Sequence, residues 1–142
     1  MSGANENSGV WDPAEGFAVM RAGESQLDFD IEFFDRVLER YPNYLDVLRC
    51  QGQLLSRKGL HARALEIDRR LVRLQPDDCV AHYNLACSLA LGRQSSAAIQ
   101  ELRSALEHGY DDFSYLETDR DLESLRSEPG YQDLLREFGI VD

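Results

Sequence analysis

The sequence repeats itself every 34 residues between positions 45 and 112. Shifting it by that distance aligns Gly52 with Ala86 and Ala64 with Ala98, and it superimposes the Asp-Asp pair at 77–78 on the pair at 111–112. A period of this length is typical of stacked supersecondary units, each too small to bury its apolar face alone. The chain is therefore predicted to fold as an array of repeats.

Each repeat unit is predicted to form two α-helices. Apolar residues recur at three- and four-residue intervals over 45–57, 61–74 and 80–91, and again in a fourth helix that ends near residue 107. Glycines at 59 and 92 supply helix stops, and Pro76 prevents continuation of the second helix. Ser95 or Ser96 is expected to cap the fourth helix. The four small residues aligned by the repeat are expected where two helices approach closely.

These units resemble the tetratricopeptide repeat, whose pattern is W-x2-L-G-x2-Y…A-x3-F…P. The resemblance implies an all-α fold, a short α-solenoid of antiparallel helix pairs with a C-terminal helical cap. Four positions depart from the pattern. His82 stands in place of the tryptophan, and Gln51 in place of the leucine. Asp68 stands in place of the phenylalanine, and Tyr110 in place of the proline. Asp68 brings a carboxylate to a normally packed site, which calls into question the geometry of its helix but not the fold. The positions that match are Leu48, Gly52, Leu55, Ala64, Pro76, Leu85, Ala86, Leu89, Ala98, Leu102 and Ala105.

The flanks extend the array in both directions. Residues 1–10 are expected to be a disordered lead-in, and 11–44 a degenerate first repeat with helices near 13–21 and over 29–41. Full repeats follow at 45–78 and 79–112. Residues 113–142 resemble the closing segment of bacterial tetratricopeptide groups, which implies helices that cover the last repeat. The residues expected to form that cover are Leu122, Leu125, Tyr131, Leu134 and Leu135.

Composition limits the class of partner that the protein can bind and its location in the cell. The net charge of −11 argues against a nucleic-acid partner, because the phosphates of nucleic acids bind basic surfaces and are repelled by acidic ones. Residues 45–78 nevertheless carry seven bases and five acids, whereas residues 111–142 carry three bases and ten acids. No apolar run reaches the roughly 18 residues of a membrane span, and no secretory signal precedes the repeats. Three cysteines without a CxxC pair make a disulfide framework improbable, so a cytoplasmic location is predicted.

Two groups of residues contain side chains that commonly bind metals, but neither group has the ligand pattern of a zinc or calcium site. Cys79, His82 and Cys87 lack a fourth zinc ligand, and on a helix His82 and Cys87 point some 140° apart. Asp119 and Asp121 begin like a calcium loop, but the positions that need Gly and Glu are occupied by other residues. Thr118 and Asp121 fit a helix N-terminal cap better. No metal, cofactor or catalytic residue is therefore predicted.

The concave face is the predicted binding site. In tetratricopeptide proteins the first helix of each pair lines a groove, and chaperone-binding members hold a peptide carboxylate there with Lys and Asn. A partner segment carrying at least one carboxylate is predicted; the alternatives are an ordinary solvated helix face and a groove filled by the chain's own acidic tail. The residues predicted to bind the segment are Arg49, Gln53, Arg57, Tyr83, Asn84 and Leu91.

These patterns predict a non-catalytic protein-interaction module that acts as an adaptor or scaffold. A small chaperone dedicated to one client, of the secretion type or a co-chaperone, remains an alternative, as does an accessory subunit of an enzyme complex. A catalytic function would require a closed pocket with convergent carboxylates assembled across the repeats.

Overall fold

The computed structural model describes residues 25–142, which are helical and contain no strand. The predicted lead-in 1–10 and the predicted helix near 13–21 lie outside the described residues. None of the helices between 25 and 142 is long and apolar enough to cross a bilayer. In chain order the elements are α1 Gln26–Arg40, α2 Leu45–Lys58, α3 His61–Leu74, α4 Cys79–Leu91, α5 Ser95–Glu107, α6 Phe113–Thr118, a 3-10 helix Arg120–Leu125 and α7 Pro129–Glu137.

Each of the first four helices packs against the next one along the chain, which produces the predicted α-solenoid. The turn after α2 contains Gly59 at φ 86°, a left-handed conformation that glycine adopts without steric cost, and its amide donates to carbonyls of the last helical turn. Asp78 caps α4 by accepting hydrogen bonds from the amides of Val80 and Ala81. The expected serine cap of α5 is wrong, because Gln94 occupies the N-cap position without a side-chain hydrogen bond.

Small residues lie where the helices meet, as the repeat predicted. Ala64 is 1% exposed, and Ala86 and Ala98 are fully buried. Ala98 belongs to the same apolar cluster as Leu89 and Leu102, so it lies at the contact between α4 and α5. These positions leave no room for a longer side chain, because interiors are packed at nearly crystalline density.

We expect that replacing Ala64 or Ala98 by Leu overpacks its contact and lowers the free energy of unfolding by about 1–3 kcal/mol. Urea unfolding followed by circular dichroism measures the change. Ala62→Leu and Ala97→Leu are the matched controls, because Ala62 and Ala97 are exposed on the same two helices. Equal effects in buried and exposed variants would contradict the packing assigned here.

Gln51, which replaces the leucine of the repeat pattern, ties α1 to α2. Its side-chain amide is fully buried and donates to the carbonyl of Ile31 at 2.9 Å and to Asp35 at 2.7 Å. The same Asp35 carboxylate accepts a 2.6 Å hydrogen bond from Arg63 of α3. The amide nitrogen is thus satisfied, whereas the amide oxygen is buried without a hydrogen-bond partner among residues 25–142. This departure gives the first three helices a polar connection in place of an apolar one.

The C-terminal helices cover the apolar end of the solenoid. The 3-10 helix packs on α4 and α5, and α7 packs on α5. Arg103 of α5 donates two hydrogen bonds, at 2.6 and 3.0 Å, to the carboxylate of Glu137 at the end of α7. The likeness of this segment to the closing segments of bacterial tetratricopeptide groups stays a prediction. All the residues predicted to form the cover are buried in one cluster with α4 and α5, namely Leu122, Leu125, Tyr131, Leu134 and Leu135.

Candidate functional site

A small pocket opens where the first helices α2 and α4 face the C-terminal segment. Its cavity volume is about 80 Å³. Helices α2 and α4 supply most of the wall, α3 contributes one carboxylate from beneath, and α6 with the start of the 3-10 helix closes the far side. The lining residues are Gly52, Gln53, Ser56, Asp68, Tyr83, Asn84, Cys87, Ser88, Tyr115, Asp119 and Asp121.

Three of the six residues predicted to bind a partner line this pocket: Gln53, Tyr83 and Asn84. Leu91 is half-buried and lines a separate depression together with Arg93, Arg120 and Glu123. Arg57 is exposed at the end of α2 and lines neither depression. The structure therefore brings three of the six residues together in one pocket, places Leu91 in a second depression, and leaves Arg49 and Arg57 outside both.

Arg49 is held by carboxylates of its own chain. Its guanidinium lies 3.3 Å from Asp46, one turn earlier in α2, and 3.5 Å from Asp78 at the start of α4. The second contact joins α2 to the N-cap residue of α4, 29 positions later in the chain, and could not be inferred from local spacing. Because two carboxylates already neutralise Arg49, its charge is less available to an acidic partner than the sequence suggested.

Tyr83, one of the residues predicted to bind the partner segment, lies beneath the groove surface. Its side chain is 3% exposed. The ring stacks on Tyr110 with centroids 4.2 Å apart and planes within 3°, and the hydroxyl donates a 2.7 Å hydrogen bond to Asp119. Tyr83 thus holds a groove carboxylate in place.

Asp119 connects the C-terminal segment to α4 through one carboxylate oxygen and caps its own segment with the other. Oδ2 accepts from the Tyr83 hydroxyl and from the Cys87 thiol at 3.5 Å, while Oδ1 accepts from the amide of Asp121 at 3.0 Å. Asp119 is therefore the N-cap of the 3-10 helix, and the expectation that Thr118 fills this role is wrong. The Thr118 hydroxyl instead donates to carbonyls of α6. Sequence reasoning missed Asp119 as a groove residue because its partners lie more than 30 residues away.

Asp68 replaces a packed aromatic residue without disturbing its helix. Its carboxylate, 6% exposed, accepts a 2.5 Å hydrogen bond from the Ser88 hydroxyl. A Cβ atom added at Gly52 would lie 3.1 Å from Asp68 Oδ1, so the glycine provides the space that the carboxylate uses. Burial raises the pKa of Asp68 to about 6, although the Ser88 hydrogen bond opposes that shift. The concern about the geometry of α3 is resolved by this pair, since α3 runs unbroken from His61 to Leu74.

The residues that approach metal-site geometry differ from those the sequence suggested. Ligand atoms of Cys87, Asp119 and Asp121 lie within 4.8 Å of one another. Burial, followed by the charge of Asp119, raises the pKa of the Cys87 thiol far above its usual range, which favours a thiol that donates to Asp119 over a metal-binding thiolate. His82 does not join Cys79 and Cys87, because its two ring nitrogens face Glu101 and the Pro76 carbonyl.

Comparison with known proteins gives two partial relatives and a similar fold. No family model matches the chain. A chloroplastic protein of Arabidopsis thaliana is 34% identical over 91 residues, which are 62% of this chain and 27% of that protein. The CTR9 homolog of the same plant is 28% identical over 93 residues, 66% of this chain and 8% of that protein. The chain thus spans only a small part of either relative.

Among solved structures, the MamA RS-1 ArsTM double mutant has a similar fold. The TM-score is 0.59, with 19% identity, and the match covers 92% of this chain and 79% of that one. At this identity the likeness concerns the fold. Together with the 34-residue period and the packed helix pairs, it shows that the chain has a tetratricopeptide-like helical-repeat fold.

Proposed function

We propose that this protein is a non-catalytic interaction module, an adaptor or scaffold, whose concave groove binds a segment of a partner protein. The observation that carries the proposal is the pocket between α2, α4 and the C-terminal segment. A side chain of the partner would enter this pocket, while its neighbours lie along Gln53 and Asn84 on one side and towards Leu91 on the other. A cytoplasmic location stays a prediction.

The size of the pocket favours recognition over catalysis. Sites for small-molecule substrates usually measure about 300–1,000 Å³, several times the 80 Å³ found here. A water molecule occupies roughly 30 Å³ in the liquid, so the cavity has room for two or three waters or for the end of one side chain. The buried carboxylates that line it are held by a serine, a tyrosine and a cysteine, which explains their positions without a reaction.

The charge of the lining favours a basic side chain from the partner. Three carboxylates line the pocket, those of Asp68, Asp119 and Asp121, and no lysine or arginine between residues 25 and 142 does. Burial, and then the neighbouring charge of Asp119, raise the pKa of Asp121, so a cation placed there would relieve an existing repulsion. This expectation replaces the carboxylate-bearing segment predicted from Arg49 and Arg57.

Selection of peptides from a random ten-residue phage library on the immobilised full chain tests the proposal. We expect the selected sequences to be enriched in Lys or Arg at one fixed position, because that side chain enters the pocket. Affinity of a selected peptide, measured by fluorescence anisotropy, should fall at least about tenfold in Asp121→Asn, as expected for loss of a charge-assisted contact. It should also weaken as salt is added.

Asp133→Asn is the matched control, since Asp133 is exposed on α7 and lies outside the pocket. Its binding should equal that of the unmodified chain. Enrichment of Asp or Glu in the selected peptides, with loss of binding in Arg49→Ala, would support the prediction of a carboxylate-bearing partner and contradict the proposal of a basic one. A library that yields no common sequence would remove the groove as a peptide site.

A further inference from the structure

Two histidines form a stacked pair at the junction between the repeat units, away from the pocket. His82 in α4 and His108, just after α5, have ring centroids 5.1 Å apart and planes within 10°. His82 is 7% exposed, whereas His108 is exposed. The repeat pattern has tryptophan at the position of His82, so a titratable ring occupies a site that packing alone would fill with an apolar one.

Both ring nitrogens of His82 face hydrogen-bond acceptors. Nδ1 lies 2.8 Å from a carboxylate oxygen of Glu101, and Nε2 lies 2.6 Å from the carbonyl oxygen of Pro76. Neither acceptor has a proton to donate. A neutral imidazole carries one N–H, which would leave a nitrogen lone pair pointing at an oxygen; the imidazolium carries two and satisfies both contacts.

The contacts of His82 connect three parts of the solenoid. Pro76 belongs to the connection between α3 and α4, His82 to α4, and Glu101 to α5. Loss of either hydrogen bond would detach one of these parts from the ring. We name His82, Glu101 and the Pro76 carbonyl the histidine latch.

The charges around the latch favour protonation. Glu101 faces His82 from α5, and Asp78 acts on it from the α3–α4 connection. Asp77 of the same connection lies 3.6 Å from the second ring, whose other nitrogen donates to the Ser104 carbonyl at 2.7 Å. Burial lowers the pKa of His82, but the hydrogen bonds to Glu101 and Pro76 and the charges of Glu101 and Asp78 outweigh it and raise that pKa above its ordinary value.

We propose that His82 is held as an imidazolium at neutral pH and that the histidine latch fastens the α3–α4 connection to α5 until rising pH releases it. Release acts on α4, the helix that also carries Tyr83 and Asn84, so the groove would become less rigid as pH increases. That last consequence rests on the proposed function; the protonation state does not.

Nitrogen-15 NMR of the histidine rings in the full chain tests the proposal over pH 5 to 9. We expect both His82 nitrogens to be protonated at pH 7 and to titrate with a pKa above the ordinary value of about 6.5. Glu101→Gln should lower that pKa, because it removes the carboxylate but keeps an acceptor. Glu107→Gln, an exposed change on the same helix, should leave the titration unchanged. A neutral His82 tautomer at pH 7, or the same titration in Glu101→Gln, would overturn the latch.

Unfolding measured against pH provides the second readout. The folded-state pKa of His82 is raised, so its contribution is fully present below about pH 6.5 and is lost as pH rises through the folded value. Glu101→Gln should reduce this loss of stability, and Glu107→Gln should not. If stability falls equally with rising pH in both variants, the fall is caused by other titratable groups. That result would contradict the latch, whatever the groove binds.

Discussion

Removal of residues 113–142 is expected to cause aggregation of the remaining chain or a large fall in its melting temperature. Six buried apolar side chains of this segment would be lost: Leu116, Leu122, Leu125, Tyr131, Leu134 and Leu135. Each contributes about 1.5–3 kcal/mol by burial, and the total is comparable with the whole stability of a typical domain, about 5–15 kcal/mol. The uncovered faces of α4 and α5 would then be exposed to water and to other chains.

Thermal unfolding and size-exclusion chromatography of the truncated chain measure this outcome. Single variants refine it: Leu125→Ala and Leu134→Ala should each cost about 2–5 kcal/mol, because both side chains are fully buried. Leu60→Ala is the matched control, since Leu60 is among the exposed large apolar residues. A truncated chain that keeps its melting temperature and does not associate would contradict the assignment of residues 113–142 as a cover.

Replacement of Asp68 by Asn should stabilise the protein at neutral pH. The pKa of Asp68 is raised from 3.8 to about 6 by burial, so folding favours the protonated form. The stability that Asp68 contributes to the folded state is therefore fully present below pH 3.8 and is lost as pH rises through about 6. A shift of this size corresponds to about 3 kcal/mol, since one pKa unit is about 1.4 kcal/mol. Asn keeps an oxygen that accepts the Ser88 hydrogen bond without carrying the charge.

Urea unfolding at pH 7.5 and at pH 4 separates this effect from a general charge effect. The free energy of unfolding of Asp68→Asn should exceed that of the unmodified chain by up to about 3 kcal/mol at pH 7.5. At pH 4 the two values should be nearly equal. Asp133→Asn, which makes the same change on the exposed side of α7, controls for the net charge of −11. Equal gains in the two variants, or a gain that does not depend on pH, would show that burial of Asp68 is not the cause.

The helices were predictable because their signals are local. The helix predicted over 61–74 matches α3, and those over 45–57 and 80–91 differ from α2 and α4 by one residue at one end. Apolar spacing fixes a helix within a few turns, and Gly59 and Pro76 mark where helices end. The burial of Ala64 and Ala98 followed from the repeat itself, because equivalent positions in stacked units meet equivalent neighbours.

The candidate site was less predictable because its contacts are distant in sequence. Arg49 pairs with Asp78, the N-cap residue of α4, and Tyr83 is buried by Tyr110 and fixed by Asp119. No local periodicity signals such pairs. The sequence predicted a groove with two arginines, Arg49 and Arg57. The pocket in the folded chain is instead lined by carboxylates from α3 and the C-terminal segment and by neither arginine, which is why we propose a basic partner in place of an acidic one.

The position of Asp119 and Asp121 limits how an array of this kind can change in length. Repeat proteins lengthen by duplicating a unit, yet one wall of this pocket comes from the segment after the last repeat. A 34-residue unit inserted after residue 112 would carry that wall away from Asn84 and Gln53 and leave a longer solenoid without the pocket. The same unit inserted before residue 45 would leave it intact, so growth of the array is compatible with the site only at its N-terminal end.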